Sequence, residues 1–285
     1  MLRWLCPGIA LLIVVTHAPA ETVTRRWFKT SDGVQLSYLE AGARQTGNAK
    51  PVLALVTGWS MPAEIWRHQL SELGSRYHTL AIDPRGQGES EVPASGYTAE
   101  RRATDLKEFL EPHARVLLVG WSLGAIESLQ YIHMFGADRL AGLVLVDSSV
   151  GEEPAPKTSS PFKQQLRQNR DRAVAQFVRA IFAKPRSEKE YAALERGAKR
   201  IALDDSLALL DYPFERGHWR TIARNFEKPL LYVVTPQFEA QAIHLKKHRP
   251  ATQVEIFRRA GHALFADEPA RFNALIEKFA KKATR

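Results

Sequence analysis

Residues 115–132 read Arg115-Val116-Leu117-Leu118-Val119-Gly120-Trp121-Ser122-Leu123-Gly124-Ala125-Ile126-Glu127-Ser128-Leu129-Gln130-Tyr131-Ile132. The first five are a short aliphatic run that reads as a buried strand, and the last eight read as a helix. Between them lies G-x-S-x-G, and strand, G-x-S-x-G, helix is the setting of a nucleophile elbow. The glycines have a steric role, because a side chain on either would collide with the neighbouring strand or helix in so sharp a turn. The turn lifts a serine hydroxyl above the sheet edge, beside N–H groups at a helix N-terminus that favour developing negative charge. The plainer alternative is a serine that caps an ordinary helix. The surrounding chain has to decide between them.

Upstream, Val23 to Phe28 and Val34 to Leu39 alternate around Ser31-Asp32-Gly33, a hairpin signal. A polar linker from Gly42 to Lys50 leads to the apolar strand Val52 to Val56, the loop Thr57-Gly58-Trp59 and a helical stretch from Glu64 to Leu73. His78 to Ile82 is a further strand, ending in the turn-rich Asp83-Pro84-Arg85-Gly86-Gln87-Gly88-Glu89-Ser90, and a helix from Thr98 to Leu110 follows. Downstream, Leu143 to Val146 closes in Asp147-Ser148-Ser149. Strands alternating with helices predict an α/β fold with a mostly parallel sheet covered on both faces.

The alternation breaks between Gly151 and Thr221, where a proline-rich hinge opens several helices. From Lys157 to Lys228 there are 16 basic and 9 acidic residues, so most of the chain's formal charge of +9 lies there. This segment reads as a helical cap inserted over the strand ends. The sheet pattern resumes at Leu230 to Val234 and Gln253 to Phe257, before Gly261-His262 and an amphipathic helix from Pro269 to Lys281. The expected divisions are 1–20 as a signal peptide, 21–150 and 222–285 as the two parts of the core, and 151–221 as the cap.

The signal peptide rests on Arg3, an apolar run from Ile9 to Val15 too short to span a bilayer, and the Ala18-Pro19-Ala20 cleavage pattern. It implies export, periplasmic or secreted. The one cysteine, Cys6, lies in that segment, so the mature chain would have neither disulfide nor thiol chemistry. Composition is that of an ordinary globular chain, 45% hydrophobic and 25% charged over 285 residues, enough for one large domain. The basic cap leaves room for weak contact with anionic surfaces. It lacks the interleaved aromatic residues of a single-strand nucleic-acid groove, and no dinucleotide fingerprint or phosphate loop is present.

These motifs, in this order, resemble the α/β-hydrolase superfamily over nearly the whole mature chain. The matching pieces are Thr57-Gly58-Trp59, where the family usually has His-Gly-x, then Asp83 to Ser90, the elbow at Ser122, and Gly261-His262. The run from Leu53 to Trp66 also resembles carboxylesterases that cleave pimeloyl methyl esters. The resemblance implies a helical cap over an α/β-hydrolase core, and a cofactor-free serine hydrolase without a metal, acting on a small-molecule ester.

Serine's hydroxyl is a weak nucleophile near neutral pH and needs an adjacent base, which His262 is placed to supply. The oxyanion hole would use the backbone N–H groups of Trp59 and Leu123. The third member departs from the family's pattern. Its G-x-x-D place reads Thr235-Pro236-Gln237-Phe238-Glu239, with a phenylalanine where the aspartate should be. Two carboxylates could serve instead: Asp147 at the end of the strand before the cap, favoured because a short side chain is well fixed in a tight turn, with Glu239, one residue beyond the usual place, as the alternative. Asp83 and Arg85 read as a pair holding their loop. His244 and His248, four apart on a probable helix, could ligate a metal, but no acidic or cysteine ligand stands at a recognisable spacing, and exposed polar positions are expected. Two rival functions remain, a ligand-binding protein that kept the fold without turnover, and a lipase acting at a membrane surface.

Overall fold

Aliphatic runs in this chain that alternate with helices have no polar face to offer water, so they form central strands with both faces covered. A computed structural model describes residues 22–42, 50–155, 162–211 and 214–283. Strands β1 (Thr24–Lys29) and β2 (Gln35–Ala41) form the expected hairpin and pair antiparallel, Phe28 facing Leu36 in the register. Next come β3 (Val52–Val56), α1 (Arg67–Leu73) entered through a 3-10 turn at Ala63–Trp66, β4 (Thr79–Ile82) and α2 (Ala99–Leu110). The elbow joins β5 (Val116–Trp121) to α3 (Leu123–Phe135), and β6 (Leu140–Val146) follows.

Among the described residues, five helices stand between β6 and the next strand: α4 (Phe162–Gln168), α5 (Arg170–Ala180), α6 (Glu188–Ala198), α7 (Leu203–Ala208) and α8 (Arg216–Asn225). The last of them runs across the 221/222 division expected from the sequence. Then come β7 (Leu230–Val234), α9 (Glu239–His248), β8 (Gln253–Ile256), the short α10 (Leu264–Asp267) and α11 (Pro269–Ala283). Among the described residues no helix is long and apolar enough to cross a membrane. The signal-peptide reading and Cys6 fall outside the described residues, as do most of the 42–50 linker and the last part of the hinge.

The strand order is β1-β2-β4-β3-β5-β6-β7-β8, parallel from β4 through β8. Alternate residues of each strand go to opposite faces. Leu53, Leu55, Leu117, Val119, Val144 and Val146 pack with Leu70 and Leu73 of α1 and with Phe272, Ile276 and Phe279 of α11. Ala54, Val56, Leu118, Leu143 and Leu145 pack on the other side with α2, α3, α8 and α9. A parallel sheet leaves its carboxyl ends at one edge. The loops after β3, β5, β6, β7 and β8 therefore open together, the usual place for a ligand in such a sheet.

Candidate active site

Ser122 sits at the sharpest of these loops with φ +55° and ψ −118°, a conformation that non-glycine residues adopt only under constraint. Its amide donates to the Val146 carbonyl at 2.9 Å, so β6 holds the turn from behind. The glycines on either side are required by contact: a Cβ on Gly120 would lie 2.4 Å from the Gly124 carbonyl oxygen, and one on Gly124 2.6 Å from that of Thr57. Thr98, Asn169 and Ser187 cap their helices through side-chain oxygens, whereas Ser122 makes no such bond to α3. The capping alternative therefore fails, and the hydroxyl stands at the helix N-terminus without a capping task.

Asp147 follows β6 with φ +44°, and its side chain is fully buried. One carboxylate oxygen, Oδ1, accepts the Thr235 amide at 2.6 Å, and the other, Oδ2, lies 2.8 Å from His262 Nδ1. A carboxylate accepts, so Nδ1 carries the proton of that bond and Nε2 is the nitrogen left to accept another. The His262 loop is fastened to the elbow by a separate bond, from Trp121 Nε1 to the His262 carbonyl at 2.8 Å. Nearby, the Tyr232 hydroxyl donates to the Ser148 carbonyl, and burial together with the Asp147 charge holds its phenol well above the usual range.

Glu239, the other candidate acid, lies at the start of α9 and forms a two-pronged pair with Arg258, at 2.6 and 2.8 Å. Those bonds hold its carboxyl below the usual glutamate range. Phe238 is buried in the core on the α9 side of the sheet. The loop where the family's acid usually stands thus contributes the Thr235 amide to Asp147 instead.

Trp59 lies in the loop after β3, and Leu123 is the first residue of α3. The Trp59 indole is buried: its Nε1 donates to the Ser206 carbonyl of α7 at 2.8 Å, and its ring meets Phe162 and Phe177 edge-on. A cavity of about 350 Å³ opens beside Leu123, lined by Tyr97, Ile126, Glu127 and Leu209 among others. Two of its lining residues, Arg102 and Glu127, form a buried ion pair at 2.5 Å. Burial pushes the Glu127 carboxyl up, against the pull of Arg102.

Two expectations need correction. Asp83 and Arg85 do hold their loop, but not by pairing with each other. Asp83 accepts from Arg25, Ser37 and the Ala63 amide, while Arg85 forms its two-pronged pair with Asp105. Nor are His244 and His248 without an acidic neighbour: Glu152 joins them, all three ligand atoms lying within 4.8 Å of one another. That proximity could not be read from spacing, since Glu152 is 92 residues before His244. Both Glu152 oxygens are already engaged, Oε1 by Arg224 Nε at 2.6 Å and Oε2 by Arg224 Nη2 at 2.7 Å and His244 Nδ1 at 2.6 Å. A guanidinium so close opposes a cation by about 4 kcal/mol per unit charge at 4 Å, so the group reads as an ion pair with a histidine partner.

Nothing in the sequence marks Asp267, which resembles an ordinary acidic residue before a helix. It is buried and accepts from the Gly261 and Ala183 amides at 2.8 Å each, from Lys184 at 3.2 Å and from Arg186 at 3.0 Å. One carboxylate thus ties the His262 loop to the chain after α5.

Known proteins resemble this chain over most of its length. A pimeloyl-[acyl-carrier protein] methyl ester esterase of Aeromonas hydrophila is 28% identical over 258 residues, which cover 80% of this chain and 95% of that protein. An esterase from Exiguobacterium antarcticum superposes with a TM-score of 0.77 at 18% identity, over 90% of this chain and 98% of that one. A bromoperoxidase from Bacillus anthracis gives 0.78 at 22% identity, over 90% and 100%. At such identities these structures speak for the fold alone. The model of the alpha/beta hydrolase family matches residues 53–275, more than half of the sequence. The chain belongs to the alpha/beta hydrolase family.

Proposed function

We propose that the chain is a serine hydrolase of small carboxylic esters, with Ser122, His262 and Asp147 as its triad. The observation that carries this is the 2.8 Å contact between Asp147 Oδ2 and His262 Nδ1, in a loop bonded to the elbow residue Trp121. Ser122 Oγ attacks the ester carbonyl while His262 Nε2 takes its proton. Asp147 fixes the tautomer and stabilises the imidazolium that forms. The carbonyl oxygen becomes an oxyanion and accepts from the Trp59 and Leu123 amides. Collapse expels the alcohol, which leaves with the proton from His262. Water, deprotonated by the same nitrogen, attacks the acyl-enzyme, releasing the acid and restoring Ser122.

Relatives named as esterases support ester over amide as the substrate. Phe238 in the usual acid's place would favour a binding protein without turnover, and the Asp147–His262 contact supports a hydrolase instead. We further infer export with cleavage after Ala20, on the pattern of residues 1–20.

The test is hydrolysis of a short-chain aryl ester by the chain lacking residues 1–20. Ser122→Ala is expected to lose at least about a thousandfold in kcat, the scale of a lost triad nucleophile. Equal rates for the two proteins would overturn the assignment.

A further inference from the structure

The oxyanion loop, Thr57 to Met61, is under strain. Ser60 has φ +58°, and the Met61 amide closes the turn on the Gly58 carbonyl at 3.2 Å. Such a conformation persists only where its surroundings over-determine it. The loop also passes close to the nucleophile, since a Cβ on Gly58 would lie 3.0 Å from Ser122 Cβ. What holds it is a side chain from a different loop. Gln87, fully buried within Asp83 to Ser90, points its Nε2 at the Thr57 hydroxyl (3.2 Å), the Gly58 carbonyl (3.0 Å) and the Met61 carbonyl (2.8 Å).

The orientation of that amide is dictated by its other end. Gln87 Oε1 accepts from Arg102 Nη1 and Nη2 at 3.1 and 3.2 Å, and a guanidinium can only donate. The oxygen must therefore face Arg102 and the NH2 must face the carbonyls. Arg102 of α2 is paired in turn with Glu127, four residues after Leu123 on α3. The series Glu127, Arg102, Gln87, Gly58 thus runs from the helix that carries one oxyanion donor to the loop that carries the other.

We propose that Gln87 is a positioning residue for the oxyanion hole, fixing the Trp59 amide relative to the Leu123 amide through this buried relay. The proposal rests on the serine-hydrolase reading of the same site. The two donors come from segments 64 residues apart in sequence, and both must point at one developing oxygen within about 2.7–3.1 Å. Thr57 stands where the family usually has histidine, and Gln87 bonds both its hydroxyl and the next carbonyl. The relay therefore supports a loop whose usual first residue is missing. Because Gln87 touches the loop and not the substrate, its loss should weaken transition-state binding more than ground-state binding.

Gln87→Met keeps the side chain's length and removes its polar atoms. Gln87→Glu keeps the acceptor for Arg102 but sets a carboxylate oxygen against two carbonyls. Both are to be assayed on the aryl ester beside wild type and Ser122→Ala, with a trifluoromethyl ketone whose adduct oxygen occupies the hole. We expect kcat to fall about ten- to a hundredfold, as misplaced catalytic groups do, with KM within about threefold by the same argument. Affinity for the ketone should fall in parallel. Wild-type kcat and ketone affinity in either folded variant, with Ser122→Ala inert, would overturn the positioning role and leave the hydrolase reading intact. Failure of both variants to fold would assign Gln87 to the scaffold and also overturn it. Wild-type activity in Ser122→Ala would remove both readings together.

Discussion

At the residue scale, the site depends on one backbone angle that few aspartates adopt. Asp147 at φ +44° turns its carboxylate back between Thr235 and His262, where both oxygens find a donor. Holding a non-glycine residue there costs about 1–3 kcal/mol, which the buried bonds must offset. Asp147→Asn would keep the shape but present an NH2 or a neutral oxygen to His262, upsetting the tautomer. We expect kcat on an aryl ester to drop by up to about 10⁴-fold. Glu239→Gln, which only loses its pair with Arg258 at the surface, should stay within about twofold of wild type, as exposed pairs contribute little. A larger loss in the second variant than in the first would reverse the assignment. Ser122, His262 and both candidate acids were legible in the sequence, because motif and chain order name them. The sequence favours Asp147 for its tight turn, but that Arg258, 19 residues away, occupies Glu239 is not legible there.

At the element scale, the joint between the helices after β6 and the core is held by polar groups. The Ala263 amide donates to the Ile181 carbonyl at 2.7 Å, and Asp267 binds the backbone on both sides of the joint. Asp267→Ala would leave Arg186 and several amides unpaired in a buried setting. Urea unfolding should show a loss of about 3–5 kcal/mol, the scale of breaking a buried ion pair. Activity should fall further than the unfolded fraction explains, because the His262 loop loses its tie. Unchanged stability would mean that water replaces the carboxylate. Strands and most helices were legible from their apolar periods, β5 and α3 best of all. Asp267 and Gln87 were not, because Asp267 binds the chain after α5 from 81 to 84 residues away and Gln87 binds the Thr57 loop from 26 to 30, and neither lies on an apolar stripe. The division at 221 was missed because α8 is charged on one face and continues into Ala223, which is buried against the core.

At the scale of the molecule, the excess of basic residues gives many carboxylates a cationic partner. Burial raises the Glu152, Glu40 and Glu108 carboxyls, but hydrogen bonds from Arg224 and His244, from His78 and Arg26, and from Ser31 and Arg101 outweigh it and hold all three below the usual range. A carboxyl whose folded pKa is depressed stabilises the fold above its unfolded value, near 4.3 for glutamate, and that share is lost as pH falls through the folded value. Tm should therefore hold from about pH 5.5 to 7 and decline below about pH 4.5. Glu152→Gln should lower Tm near pH 7 and flatten the acid limb. An acid limb as steep as that of wild type would show that Glu152 contributes nothing to it.

Trp59 belongs to two parts of the molecule at once: its amide lies in the proposed oxyanion hole, and its indole is lodged under α7, bonded to the Ser206 carbonyl. Free-energy coupling between two such places is reciprocal. With such a coupling, a ligand that grips the amide slows hydrogen exchange in α7. Prying that helix away must in turn weaken the grip by the same factor. A substitution that loosens α7 would then act on ester turnover from outside the site.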